Sequence, residues 1–264
     1  YSRIQKREAV MNYGKKVKAW SAGLIFSVAT SFASAGPIAT MDLKFGSDGI
    51  KFPEGYRAGT ITNVTNDGTN QSRVAAGMFR FSVSNIQGDT PFALSSNDVL
   101  DAFCVDIDTL LDQYNTVSYS LLSATDYFQN SRKVNLMSSL YTGFGGDEVK
   151  DSRTSAAFQL ALWEIINENN DELNLDDGSF TSTDFTDAKE TANGWFTGLG
   201  DIASGFNLFV LESDSDADGN KLSQDLLVFS PAPPVKVPEP GTLALLALGI
   251  CGLVLRKASK RSKD

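Results

Sequence analysis

The hydrophobic period of the chain changes part-way along it. In Gly77-Met-Phe-Arg-Phe-Ser-Val83, Phe79, Phe81 and Val83 alternate with Met78, Arg80 and Ser82, the two-residue repeat of a strand with one buried face. Asp101-Ala-Phe-Cys-Val-Asp-Ile-Asp108 repeats it, placing Phe103, Val105 and Ile107 on one face and Cys104, Asp106 and Asp108 on the other. Turn-rich stretches such as residues 63–70 separate these runs, so the first half reads as β. Over residues 131–144 the period lengthens: Val134, Leu136, Met137, Leu140 and Tyr141 fall at helical spacing, and Gly143 and Gly145 end the run. Residues 151–168, with Asp151 near the start and a dense apolar centre, predict the strongest helix, and 184–196 a shorter amphipathic one. Asn207-Leu-Phe-Val-Leu211 and Gln224-Asp-Leu-Leu-Val-Phe229 return to strand and flank an acidic loop, which predicts a hairpin. No internal repeat is visible. The expected fold is α+β, a β-rich domain with a few inserted helices.

Both ends of the chain depart from this pattern. Lys15, Lys16 and Lys18 precede the mainly apolar residues 19–29, and Thr30-Ser-Phe-Ala-Ser-Ala35 supplies small residues for cleavage before Gly36. A basic start, a short apolar core and a small-x-small site predict that 1–35 are an upstream extension and a secretory signal peptide, cut between Ala35 and Gly36. Residues 1–10 precede Met11 and are read as an upstream extension. At the other end, Ser230-Pro-Ala-Pro-Pro-Val-Lys-Val-Pro-Glu-Pro240 holds five of the eight prolines, which makes 231–240 a linker. Residues 241–255 are an uncharged apolar run followed by Arg256, Lys257, Lys260, Arg261 and Lys263. As a single hydrophobic helix the run covers about 22 Å, short of the roughly 30 Å hydrocarbon core. It suits a transient membrane anchor better than a permanent one, with the basic tail of 241–264 kept inside.

The Val237-Pro-Glu-Pro-Gly-Thr242 motif (Pro238, Glu239 and Pro240), the apolar run and the basic terminus resemble, in that order, the PEP-CTERM sorting signal of Gram-negative bacteria. The resemblance covers about the last 28 residues. It implies an exosortase as processing partner, often in organisms making exopolysaccharide. The expected destination is the cell envelope, the outer surface or the medium, with the domain of 36–230 as the exported part.

Composition narrows the function. Residues 36–237 carry 12 lysines and arginines against 29 aspartates and glutamates, a net charge of −17. So acidic a domain argues against nucleic acid and against anionic lipid as partners. The chain has no histidine, which removes Ser-His-Asp and Cys-His constellations and the commonest metal ligand. No turnover enzyme and no cofactor are expected. Cys251 lies in the tail, so Cys104 is the one cysteine of the exported domain and has no intramolecular disulfide partner. An odd cysteine in an exported protein suggests intermolecular pairing or a reactive thiol.

In Ala156-Ala-Phe-Gln-Leu-Ala-Leu-Trp163 the single polar residue is Gln159, on a stripe with Ala156, Trp163 and Ile166. Burying its amide unpaired would cost on the order of 1–3 kcal/mol, so it has a partner or a purpose. Phe103-Cys104-Val105 and Gln159-Leu-Ala-Leu-Trp163-Glu-Ile together resemble the thioester domains of bacterial surface proteins, over roughly residues 77–229. Val105 stands where an aromatic often follows the cysteine in Gram-positive adhesins. The resemblance implies an internal bond between Cys104 and Gln159 formed with loss of ammonia. It also implies covalent capture of an amine or hydroxyl on a surface protein or polysaccharide. A thiolate near its ordinary pKa of about 8.5 would be competent for this.

The residues themselves leave two rivals open: a structural envelope or biofilm-matrix protein with an inert Cys104, and a carbohydrate-binding module using aromatics such as Trp163 and Trp195. The acidic loop 214–225 places Asp214, Asp216, Asp218 and Asp225 at positions 1, 3, 5 and 12 with Gly219 at 6, the outline of a calcium loop. Asp225 replaces the usual glutamate and Lys221 an apolar residue, so a solvated hairpin loop is the preferred expectation.

Overall fold

The computed structural model describes residues 36–63 and 69–232. The expected signal peptide up to Ala35, the expected linker beyond residue 232, Pro238, Glu239, Pro240 and the apolar run 241–255 lie outside the described residues. Among the described residues no helix is long and apolar enough to cross a membrane.

Among the described residues nine strands and four α-helices are present: β1 (Ala39–Phe45), β2 (Arg57–Asn63), β3 (Thr69–Ala76), β4 (Phe79–Gly88), β5 (Val99–Cys104), β6 (Thr116–Ser123), α1 (Ala124–Phe128), α2 (Ser131–Phe144), α3 (Ser152–Asn167), β7 (Phe180–Thr183), α4 (Asp187–Phe196), β8 (Phe206–Ser213) and β9 (Leu226–Pro231). Six strands close into an antiparallel barrel in the order β1-β4-β5-β9-β8-β6. A separate sheet runs β3-β2-β7. The α+β reading holds, with the β part closed on itself.

The barrel wall has two kinds of strand. On β1, Ala39, Met41, Leu43 and Phe45 face inward while Thr40, Asp42 and Lys44 face out; β4 buries Phe79, Phe81 and Val83 as its alternation predicts. On β8 the run Leu208–Leu211 is buried throughout, as is Leu226–Val228 on β9. These strands are covered outside as well as inside, because α1 and α2 pack on β8 and Tyr141 of α2 stacks on Phe229 at 3.8 Å. A strand buried on both faces reads as a continuous apolar run. The expected β8–β9 hairpin is present, with Leu211 opposite Leu226 and Phe206 opposite Pro231.

Helix α3 lies between α2 and α4 and against β2, β3 and β7. Asp151 caps it, accepting Thr154 N at 2.8 Å, while Thr154 Oγ1 accepts the Asp151 N–H at 3.2 Å, a capping box with threonine in the third position. Residues 154–165 are buried without exception, so the helix is central rather than amphipathic. At its far end Glu168 accepts four backbone N–H groups, from Asn169, Asn170, Ser179 and Phe180. Burial pushes the Glu168 carboxyl up, and these four donors bring it below its ordinary value.

One expected strand is shorter than its alternation implies. β5 ends at Cys104, and Phe103, Cys104 and Val105 are all buried. The Asp106 carboxylate accepts the Asp108 and Thr109 N–H groups at 3.0 and 3.2 Å. That side-chain turn offers the backbone an alternative to the ladder and stops the strand. Cys104 therefore belongs to the interior, not to a polar face. The shorter amphipathic helix begins at Asp187, three residues later than its pattern suggests.

Candidate functional site at the junction of α3 and β5

The junction follows from where β4 starts. β4 pairs with β5 only as far as Phe79 opposite Ala102, so Cys104 lies two residues past the end of its neighbour. The next amide, Val105 N, donates across to Asp225 O at 3.1 Å on the β9 side. Successive amides of a strand point to opposite sides, so the N–H and C=O of Cys104 face the vacant β4 side. Buried there without partners, both would be costly.

Gln159 fills the vacancy. Its Oε1 accepts the Cys104 N–H at 2.9 Å and its Nε2 donates to Cys104 O at 2.7 Å. The side-chain amide thus replaces a strand residue. Both Cys104 and Gln159 are 0% exposed. One turn earlier, Ser155 Oγ accepts the Met78 N–H at 2.8 Å, so α3 closes both interrupted strands. Gly77 permits the approach: a Cβ there would lie 2.8 Å from Gly55 O and 3.2 Å from Ser155 Oγ. Rings lock the helix in place, with Phe103 of β5 4.5 Å from Phe158 of α3. Ser155 is the contributor that sequence reasoning missed; it was legible as a second polar residue four positions before Gln159.

The sulfur sits in polar company. Cys104 Sγ–H donates to Asp106 O at 2.9 Å. Burial, and next the charge of Asp106, push the thiol far above its ordinary value. The expectation of a thiolate near its usual pKa is thereby corrected: the group is a neutral thiol. The Asp106 backbone and the Trp163 indole oppose the rise, and the Asp225 charge adds to it.

Asp225 is 0% exposed and turns inward. It accepts Ser213 N at 2.9 Å and Tyr127 Oη–H at 2.6 Å, and pairs with Lys221. Asp216 accepts the Asp218 and Asn220 N–H groups. The four aspartates of the calcium-loop outline do not converge, and among the described residues no cluster of three metal-ligating side chains occurs. The loop is tied to its own backbone, because a buried Asp225 satisfies β8 and Tyr127 before it can reach outward. Of the aromatics named for sugar binding, Trp163 is 1% exposed, and Trp195 is half-buried and stacked on Phe144 at 4.9 Å.

A family model described as the PEP-CTERM protein-sorting motif matches residues 236–261. The chain carries a PEP-CTERM sorting motif. That motif implies exosortase-dependent export to the cell surface. The structure is similar to the N-terminal thioester domain of a protein F2 like fibronectin-binding protein from Streptococcus pneumoniae. That match has 14% identity, covers 72% of this chain and 99% of that one, and has a TM-score of 0.38. No curated protein matches the sequence significantly.

Proposed function

We propose that the exported PEP-CTERM protein carries an internal thioester between Cys104 and Gln159 and uses it once, for covalent attachment to a partner surface, rather than for turnover. The observation that carries this reading is the double hydrogen bond between the Gln159 amide and the Cys104 backbone, which holds the only cysteine of the domain beside a buried primary amide. In forming the bond, Cys104 Sγ attacks the Gln159 carbonyl carbon and the C–N bond breaks. The thiol proton leaves with the amide nitrogen as ammonia. The Cys104 N–H already donates to Gln159 Oε1, where charge builds as sulfur adds, the role of an oxyanion donor. Fixed contact supplies effective concentrations of order 10⁵ M or more, which compensates for a thiol that burial keeps neutral.

The product is an activated acyl group in a site without water access, with Cys104 and Gln159 both 0% exposed. An amine or hydroxyl of a surface protein or polysaccharide attacks that carbon, forms an amide or ester to Gln159 and returns the proton to Cys104. The host is a Gram-negative bacterium with an exosortase, and the apolar tail holds the protein at the membrane only until it is processed.

Intact mass tests this directly. The purified domain weighs one ammonia less than its sequence, and methylamine raises it to one methylene above the sequence mass, as the N-methylamide of Gln159. Cys104→Ala and Gln159→Ala each weigh their full sequence mass. Full mass with a titratable Cys104 in fresh wild-type protein refutes the bond.

A further inference from the structure

Two loops close the barrel end at which Cys104 lies. Residues 105–115 join β5 to β6, and residues 214–225 join β8 to β9. In the barrel β9 and β8 stand between β5 and β6, so the first loop has to cross the base of the second. Where they meet, Asp112 N donates to Ser223 Oγ at 3.1 Å. Two side-chain turns fix the crossing loop. Asp106 accepts the N–H groups of Asp108 and Thr109, and Asp112 accepts those of Tyr114 and Asn115 at 2.8 Å each. Leu111 packs on the core, whereas its neighbour Leu110 is 86% exposed, Tyr114 is 84% exposed and Leu222 of the second loop is exposed as well. Leu110 and Tyr114 each lie two residues from Asp112, at most about 7 Å along the chain, and Leu222 adjoins Ser223. Three large apolar side chains are thus gathered about one hydrogen bond on the surface. The same turn leads to the sulfur, since Asp106 O accepts the Cys104 Sγ–H at 2.9 Å.

Apolar side chains held together in water mark a surface that another molecule covers, and the charges around them select the occupant. Asp108, Asp214, Asp216 and Asp218 are exposed on the two loops, and Asp214 O accepts the Leu222 N–H at 2.9 Å, which sets that acid beside the leucine. Lys221, the one cation of either loop, is committed to Asp225 and Glu212. Lys51 brings one positive charge from the side, donating to Gln113 Oε1 at 3.5 Å. A second copy of so acidic a domain is repelled, and leucines offer nothing to the hydroxyls of a polysaccharide. We propose that the face formed by Leu110, Tyr114 and Leu222 is a docking surface for a cationic polypeptide, one that sets apolar side chains between lysines or arginines. Apolar contact at the centre supplies affinity, while the aspartate rim attracts the partner and turns acidic ones away. The two side-chain turns hold the loop in place beforehand, so little order has to be gained on contact. Use of this face to bring a nucleophile to Gln159 rests on the thioester reading; the docking itself does not.

Binding is measured in Cys104→Ala protein, which forms no thioester, so that failure of the docking and failure of the bond are separate results. The probe is a short fluorescent peptide of alternating lysines and leucines, followed by anisotropy. Leu110→Ser combined with Tyr114→Ser weakens binding about tenfold or more. Ile38→Ser, which alters an exposed apolar residue at the other end of the barrel, leaves it unchanged. Asp214→Asn combined with Asp218→Asn weakens it less and reduces its dependence on salt. The same peptide with glutamate for lysine does not bind. All the substituted side chains are exposed, and an unchanged melting temperature verifies that each variant is folded. Absence of lysine-peptide binding, equal affinity in the Leu110→Ser, Tyr114→Ser protein, or equal binding of the glutamate peptide overturns the proposal. A dimer in sedimentation that these serines dissolve, or dextran binding lost with Tyr114→Ser, also overturns it by giving the face to another occupant.

Discussion

The junction of α3 with β5 and the 214–225 loop are both polar interruptions in an apolar frame, and they dispose of polarity in opposite ways. At the junction one amide and one thiol are shut away from water and are satisfied by the neighbouring backbone, while the equally buried Trp163 indole N–H has no partner among the described residues. In the loop the carboxylates of Asp214, Asp216 and Asp218 stay in solvent, and Asp216 accepts from the loop's own N–H groups. Their acids are tuned in opposite directions too. Glu164, on α3, is pushed up to about 8 by burial, while hydrogen bonds from Asn220 hold Asp216 below its ordinary value. Density of charge is thus a poor guide to a site. Reactive geometry arises where burial forces a few polar atoms onto one another.

That contrast is tested first by pH, where the effect is largest. Glu164 is 0% exposed, accepts Asn174 N at 2.7 Å through one oxygen and leaves the other without a partner. Its folded pKa of about 8 exceeds the ordinary 4.5. The folded state therefore binds the extra proton between these values, and the stability tied to it is full below about pH 4.5 and lost as pH rises through about 8. The loss reaches at most about 5 kcal/mol over the window. Urea denaturation from pH 5 to 8.5 shows the decline, and Glu164→Gln flattens it. An equal slope in wild type and variant would place the burdened carboxyl elsewhere.

Next in size is the amide itself. Gln159→Ala leaves the Cys104 N–H and C=O buried without partners and opens a void, a cost of about 3 kcal/mol or more by denaturation. Asp225→Asn keeps an acceptor for Ser213 but weakens the bonds to Tyr127 and Lys221. Because Lys221 is 30% exposed and can rehydrate, the loss is only about 1–2 kcal/mol. A larger loss at 225 than at 159 would reverse the ranking of the two regions.

How much of this was legible depended on whether a residue's partner lies nearby in sequence. The β4 alternation, the helix over 131–144 and the β8–β9 hairpin are local patterns, and they appear as read. Gln159 was legible because an amide in a wholly apolar helix demands an explanation. The end of β5 at Cys104 was not, since it is set by the Asp106 side chain turning back on residues 108 and 109. Nor was the vacancy beside Cys104, which exists only because β4 begins at Phe79. Nor did the loop spacing reveal what Asp225 does: it is committed to Ser213, Tyr127 and Lys221, contacts that lie outside the loop pattern or run across it.

The smallest expected effect sharpens the comparison most economically. If Asp214, Asp216 and Asp218 belong to a solvated loop, millimolar calcium leaves the melting temperature where it was. A specific site would raise stability as RT ln(1 + [L]/Kd), about 2.7 kcal/mol at a hundredfold excess over Kd. Asp225 would have to leave Ser213, Tyr127 and Lys221 to join such a site, so binding would come at the expense of the barrel end next to Cys104. Thermal scans of wild type and Asp216→Ala, each with calcium and with a chelator, should coincide in pairs. A calcium-dependent rise that Asp216→Ala abolishes would show that the loop can gather its carboxylates after all, and that the exposed region holds a site of its own.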